Sequence, residues 1–301
     1  MFGDKDVSPK LRDVFDEFSI PFTWCGPTLS ADTVVFHNPS CLKFQDTLGA
    51  SILAQTLIVV THENFYRPSG APAFDIDATL GVVADATLAR RKVLAPISPY
   101  NRAGVMHWVN TTPACEWEVL DQDWFNICDF ELTPPTAAPR DRRGRLSRPG
   151  NEKFPLLAAL DQSFPPMAET NLILGADSLM PFAAQYPHWD LRPFGSMAVD
   201  AFFDKIDFMV YHTSASWRES FGRVIAEAIA AGKVVITDAE TGANFGAGST
   251  VAAGPSEVSS AIAALTAEPA KYRKIVETGQ KNLARHASDR FRAFFDSVVP
   301  G

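Results

Sequence analysis

The sequence predicts an α/β protein whose strands form parallel sheets, divided into two domains. Three observations carry this. The run from Thr56 to His62, TLIVVTH, is almost continuously apolar, as expected of a parallel strand buried on both faces. Strand-like runs alternate with helix-like ones along most of the chain, the order that parallel sheets require. The length of 301 residues and an apolar content of 46% are enough for two cores of about 150 residues each. No repeat at the 20–50-residue periods of solenoids is visible.

Taken in order, residues 1–20 are charged, with Leu11, Val14, Phe15 and Phe18 at helical spacing. Residues 22–25 read as a short strand and 33–37 as a better one, followed by a loop at Asn38 and Pro39. Residues 41–55 read as helix, 56–62 as strand, 77–91 as helix and 92–97 as strand. The stretch 105–109 is ambiguous. Residues 117–120 read as strand, and 126–129 as an extended piece. The Pro-rich segment 132–143 is the best linker candidate. It runs into a basic cluster in which Arg140, Arg142, Arg143, Arg145 and Arg148 fall close together, with Lys153 beyond. By composition alone that cluster reads as a solvated loop. Helix is expected at 154–164, strand at 171–175, an extended piece at 190–194, a short helix at 199–203 and strand at 207–212. A strand at 234–238 leads into a Gly-rich loop at 239–248. Helices follow at 257–265, 269–287 and 288–297, the last presenting Phe291, Phe294 and Phe295 for packing.

Composition narrows the function classes. A formal net charge of −8 makes nucleic acid a poor partner. Cys25, Cys41, Cys115 and Cys128 show neither CxxC spacing nor adjacent His, so free thiols in a reducing compartment are expected, with no metal site. The N-terminus lacks the apolar core of a signal peptide, and no run of 18 apolar residues occurs. The expectation is a soluble, cytoplasmic protein without a transmembrane segment, for which peripheral membrane contact stays open.

The stretch with the strongest chemistry is 217–232, WRESFGRVIAEAIAAG. Ser220 reads as an N-cap, residues 221–231 as an Ala-rich helix, and Gly232 as its left-handed C-terminal stop. A strand follows at once. Gly222 admits close approach to the first turn, whose unpaired amides and dipole make an anion site, most simply for phosphate. Glu219 and Glu227 flank it. Eight residues of helix separate them by roughly 12 Å, too far to share a proton or a metal. They suit the two ends of an extended ligand with a phosphate between, such as a nucleoside diphosphate sugar. Read singly, either Glu is an ordinary solvated helix residue.

As a whole, Glu-Ser-Phe-Gly followed by Glu-Ala-Ile-Ala-Ala-Gly resembles the E-x7-E signature of retaining nucleotide-sugar glycosyltransferases of the GT-B fold. The resemblance covers about residues 143–287. It implies two Rossmann-like domains facing a cleft, the N-terminal one shortened: 1–138 on the acceptor side, 139–287 on the donor side, and a C-terminal helix, 288–301, returning to the first domain. It implies that Glu219 contacts the donor sugar, that the amides of Ser220, Phe221 and Gly222 hold the distal phosphate, and that Glu227 binds the ribose. A Gly-Arg-Leu turn and a following Lys resemble the family's diphosphate clamp. Arg145 and Lys153 match best, and Arg148 is a rival because the spacing is longer than the family's. His37 and His62 both end apolar strands, where ligands of open parallel sheets bind; Thr61-His62-Glu63 resembles the position that contacts the donor sugar. The activity implied is transfer of a sugar to the hydroxyl of a saccharide or glycolipid acceptor, with retention and without metal or cofactor. The product class would be polysaccharide, lipopolysaccharide or glycoconjugate. A non-catalytic nucleotide-sugar-binding subunit that needs a partner chain is the alternative, and an unrelated phosphate-binding enzyme such as a sugar-phosphate epimerase a third.

Overall fold

A computed structural model describes residues 27–299; the helix expected within 1–20, the strand at 22–25 and Cys25 lie outside them. The chain divides into two compact units, residues 1–125 with 293–301, and residues 126–292.

The first unit carries a parallel sheet in the order β1 (Thr28–His37), β2 (Ser51–Thr61), β3 (Thr87–Pro96), β4 (Trp117–Val119). Helices α1 (Ile76–Asp85) and α2 (Pro99–Thr111) are capped by Asp75 and Ser98, whose side chains accept from the amides of Ala78 and Asn101. Ile52, Leu57, Val59, Phe65, Leu80, Leu94 and Trp108 form the core. Two boundaries differ from expectation. The helix read at 41–55 is a single 3-10 turn, Pro39–Leu42, and residues 51–55 open β2. The helix read at 77–91 stops at Asp85, and Thr87 begins β3. Both corrections have one cause. Ile52, Leu53 and Ala54 pair in register with Thr87, Leu88 and Ala89, so sheet pairing overrides the local helix preference of both segments. The ambiguous 105–109 is helical, within α2. The last helix, α9 (Ser288–Val298), runs into this unit from Ala293 onward, where Phe294 meets the Trp124 ring edge-on at 5.3 Å.

The second unit holds six parallel strands: β5 (Arg142–Leu146), β6 (Thr170–Leu174), β7 (Asp190–Arg192), β8 (Phe208–Tyr211), β9 (Val234–Thr237) and β10 (Val251–Ala252), ordered β10-β9-β8-β5-β6-β7. The chain winds outward from β5 in both directions. That is the doubly wound order of a dinucleotide-binding sheet, and its topological switch point falls between the carboxyl ends of β5 and β8. Around it lie α3 (Leu157–Ser163), α4 (Val199–Phe203), α5 (Arg223–Ala230), α6 (Ala239–Ala243), α7 (Val258–Ala267) and α8 (Pro269–Leu283). The Gly-rich loop after β9 thus contains a short helix, α6, capped by Asp238. The Pro-rich segment before β5 is tied down: Thr133 donates its amide to the Ala230 carbonyl, and its own carbonyl accepts from Gln280. No helix among the described residues is long and apolar enough to cross a membrane.

One glycine sets the shape at the switch point. Gly175, just after β6, sits at φ 82°, and a Cβ there would lie 1.9 Å from the Ser147 carbonyl oxygen. Gly175→Ala should therefore destabilise the chain by ~2 kcal/mol or more, the cost of a left-handed non-Gly residue plus the displaced loop. Urea unfolding of the variant checks this, and an unchanged midpoint would contradict the contact.

Candidate functional site

The carboxyl ends of β5 and β8 bring together the loop 147–153 and the loop 212–222 that leads into α5. Helix α5 starts at Arg223, two residues later than expected, and its N-cap is Gly222, not Ser220. Gly222 takes a left-handed conformation, φ 92° and ψ 59°, that Ser adopts only at a cost. The helix entry is therefore built from backbone, with no side chain capping it. Gly232 ends the helix at φ 74°. Phe221 is buried: its ring packs 5.3 Å from Phe245 and 5.5 Å from His286, and its carbonyl accepts from Asn244 Nδ2. It anchors the loop; its amide and those of Arg223 and Val224 stand at the helix entry, while the Ile225 amide donates to the Gly222 carbonyl at 2.9 Å.

Glu219 stands at the centre. Its Oε1 accepts two hydrogen bonds, 2.7 Å from Lys153 Nζ and 2.6 Å from the Tyr211 hydroxyl. Lys153 is itself buried, and its ammonium lies 4.5 Å from the centroid of the Trp217 ring. Burial would raise the Glu219 carboxyl, but Lys153, the Tyr211 hydrogen bond and Arg145 together outweigh it and hold it below its ordinary value. Burial, then the neighbouring Glu219 carboxylate, pushes Tyr211 up, so it stays a donor.

Of the five arginines in the basic cluster, the two clamp candidates, Arg145 and Arg148, occupy different settings. Arg145 lies within β5 rather than in a turn, and is fully buried. Its guanidinium lies over the rings of Phe154, at 4.8 Å, and Tyr211, at 4.3 Å, and donates to the Lys153 carbonyl. β5 lies between β6 and β8 and is buried on both faces from Arg143 to Leu146, so a side chain at this position is enclosed whichever face it takes. Arg148 is exposed in the loop and makes no hydrogen bond or ion pair to a described residue. Glu227 lies on α5 with its side chain 27% exposed, 3.5 Å from Arg223 Nε, and burial raises its carboxyl.

His62 lies in the first unit, one residue past β2, and is paired with the end of β1: His37 Nδ1 is 3.0 Å from His62 Nε2. Burial lowers both rings, and in His62 the neighbouring His37 adds to it. The remaining eight residues singled out from the sequence all lie in the second unit. Among the described residues no group of three or more His, Cys, Asp or Glu could hold a metal ion. Two open cavities of about 540 and 680 Å³ flank the loops of the second unit and share Pro155, Leu156 and Ala215. Neither is lined by Glu219. The sequence reading missed Tyr211, whose hydroxyl reaches a carboxylate eight residues on, and the stacking of Trp217 on Lys153. A tyrosine ending an apolar strand, just before the signature loop, was the one available signal.

No family model matches the chain, and no curated protein does. Solved structures do. HepE of Anabaena in complex with UDP and glucose is 14% identical, with 80% of this chain and 71% of that one covered and a TM-score of 0.57. Sucrose-phosphate synthase from Thermosynechococcus elongatus is 16% identical over 88% and 72%, with a TM-score of 0.58. TarM is 10% identical over 89% of this chain but 55% of its own, with a TM-score of 0.62. The fold is therefore that of the GT-B glycosyltransferases, two Rossmann-like units with parallel sheets, as the E-x7-E resemblance implied.

The histidines give a pH dependence. Burial, reinforced by Arg285, lowers His286 to about 4, while the unfolded value is ~6.5. The unfolded chain then binds more protons between those values, so stability is fully present above pH ~6.5 and lost as pH falls toward 4. Each ~1 kcal/mol lost lowers Tm by ~2–4 °C. His286→Gln should flatten this part of the Tm–pH curve, and thermal melts from pH 7.5 to 4.5 read it.

Proposed function

We propose that the chain is a retaining glycosyltransferase that moves a sugar from a nucleoside diphosphate sugar to an acceptor hydroxyl. The observation that carries this is the Glu219 carboxylate, held by Lys153 and Tyr211 at the switch point, directly before a helix entered through Gly222. A carboxylate with an open oxygen accepts from a sugar hydroxyl; the amides of Arg223 and Val224 at the helix entry donate to a phosphate. The likeness to solved glycosyltransferases supports the reading at the level of fold.

In this reading the distal phosphate rests on the amides around Gly222, and Glu227 accepts from the ribose hydroxyls. Glu219 accepts from a hydroxyl of the transferred sugar. The bond between the anomeric carbon and the phosphate oxygen breaks as the acceptor oxygen bonds to the same face. The departing phosphate oxygen takes the acceptor's proton, so no protein nucleophile is used. Charge accumulating on the diphosphate is met by the helix amides and by Lys153, both held in place before reaction, which is how such sites lower a barrier, and by Arg148 from the exposed loop. Arg145 supports this arrangement from beneath, through the Lys153 carbonyl and the Tyr211 ring. Metal and cofactor have no part in the proposal. The acceptor is a saccharide or glycolipid hydroxyl, in cytoplasmic synthesis of a polysaccharide or glycoconjugate.

Two expected outcomes test it. Glu227→Ala should weaken binding of bare nucleoside diphosphate by about 1–3 kcal/mol, the loss of a hydrogen bond to a charged group. Calorimetry giving unchanged affinity in a folded variant would remove the ribose assignment. Arg148→Ala should lower turnover with little change in Tm, since exposed charges add little stability, whereas Arg145→Ala should lower Tm by breaking a buried cluster. The reverse pattern, measured by melts beside steady-state kinetics, would return Arg145 to the phosphate.

A further inference from the structure

Both hydrogen bonds to Glu219 land on one oxygen. Lys153 Nζ and the Tyr211 hydroxyl donate to Oε1, at 2.7 and 2.6 Å, and Oε2 has no partner among the described residues. Each carboxylate oxygen has room for about two hydrogen bonds, so Oε1 is saturated and Oε2 is presented. Tyr211 ends β8 and is 2% exposed. Its ring is held by burial and by the Arg145 guanidinium, which lies 4.3 Å from the ring centroid and is itself 4.8 Å from the centroid of Phe154. That same guanidinium donates to the backbone carbonyl of Lys153. One buried arginine therefore fixes both groups that orient Glu219.

We propose that Tyr211 is a positioning and specificity-determining residue: with Lys153 it locks Oε1, so that Oε2 alone reads one hydroxyl of the donor sugar. This rests on the glycosyltransferase reading above. The hydroxyl of Tyr211 touches no reacting atom; it acts through Glu219. The lock also confers discrimination. A carboxylate held with a single open oxygen leaves an unmade bond when the sugar lacks the matching hydroxyl, which is costly in a buried site. Without the Tyr211 hydroxyl the carboxylate can rotate, either oxygen can turn to the sugar, and that penalty relaxes.

Tyr211→Phe keeps the ring over Arg145 and removes only the hydroxyl. In the full-length chain, turnover with an intact nucleoside diphosphate sugar should fall, up to ~10²-fold for a misplaced contact. Affinity for the bare nucleoside diphosphate should stay unchanged, and discrimination between the donor and its deoxy-sugar analogues should narrow. In a Glu219→Gln background Tyr211→Phe should have no further effect, because residues that act through one another are not additive. A substrate-free arm follows the Glu219 carboxyl by ¹³C NMR. The charged and titratable groups facing it are Lys153, Tyr211 and Arg145, and loss of the Tyr211 bond should raise its titration point. If the wild-type chain transfers sugar but Tyr211→Phe leaves the titration point and the discrimination unmoved, or adds its full effect in Glu219→Gln, the positioning role is overturned. If the titration point moves but the wild-type chain binds no UDP-, GDP-, ADP- or dTDP-sugar, the glycosyltransferase reading fails and takes the sugar-reading role with it.

Discussion

The ion pair between Lys153 and Glu219 is the constraint on which the rest of the second unit's site depends. Both groups are largely buried. Charges removed from water persist only where geometry and further hydrogen bonds compensate, and removing one partner strands the other at a cost of about 3–5 kcal/mol. Here the compensation is a stack of contacts: the Arg145 guanidinium over the rings of Phe154 and Tyr211, the Tyr211 hydroxyl completing Oε1, and the Trp217 ring beside the ammonium. The stack spans β5, β8 and the two loops beyond them. Sheet order, loop conformation and carboxylate orientation are therefore one cooperative arrangement.

Backbone supplies what side chains do not. Gly222 enters α5 in a left-handed conformation and its carbonyl accepts from the Ile225 amide, which leaves those of Arg223 and Val224 for a ligand, while Gly175 lets the loop after β6 lie against the Ser147 carbonyl. Phe221, wedged against Phe245 and His286, holds the same turn from its other side. A helix entry can hold an anion without a cation in contact with it, so the burial of Arg145 leaves the proposed phosphate site intact.

Much of this was legible in the one-dimensional string. The apolar runs of β2, β8 and β9 announced buried parallel strands, and Gly232 was rightly read as the helix stop because its role is local. Glu219 and Glu227 stand out only through the whole E-x7-E string, each alone reading as a solvated helix residue, and their roles toward a donor belong to the proposal. The failures share the property opposite to the local role of Gly232. Residues 51–55 and 87–91 read as helix because their strand partners lie some 35 residues apart. Ser220 was the better cap by residue type, yet the cap fell to Gly222 because packing of Phe221 fixes the turn. Arg145 looks like a loop cation in the sequence, but it belongs to β5, a central strand enclosed on both faces between β6 and β8. The Tyr211 hydroxyl bond required knowing how the 212–218 loop folds back over its own strand.

The central claim is that the helix entry at Gly222 seats the diphosphate of a nucleotide sugar. Its most direct test is amide-detected NMR of the full-length ¹⁵N-labelled chain titrated with UDP, GDP, ADP and dTDP. The account predicts saturable shifts for at least one nucleotide, largest at the amides of Gly222 and Arg223 and extending to Glu227. Absence of shifts with all four, or shifts confined to residues outside 145–153 and 211–227, would contradict it.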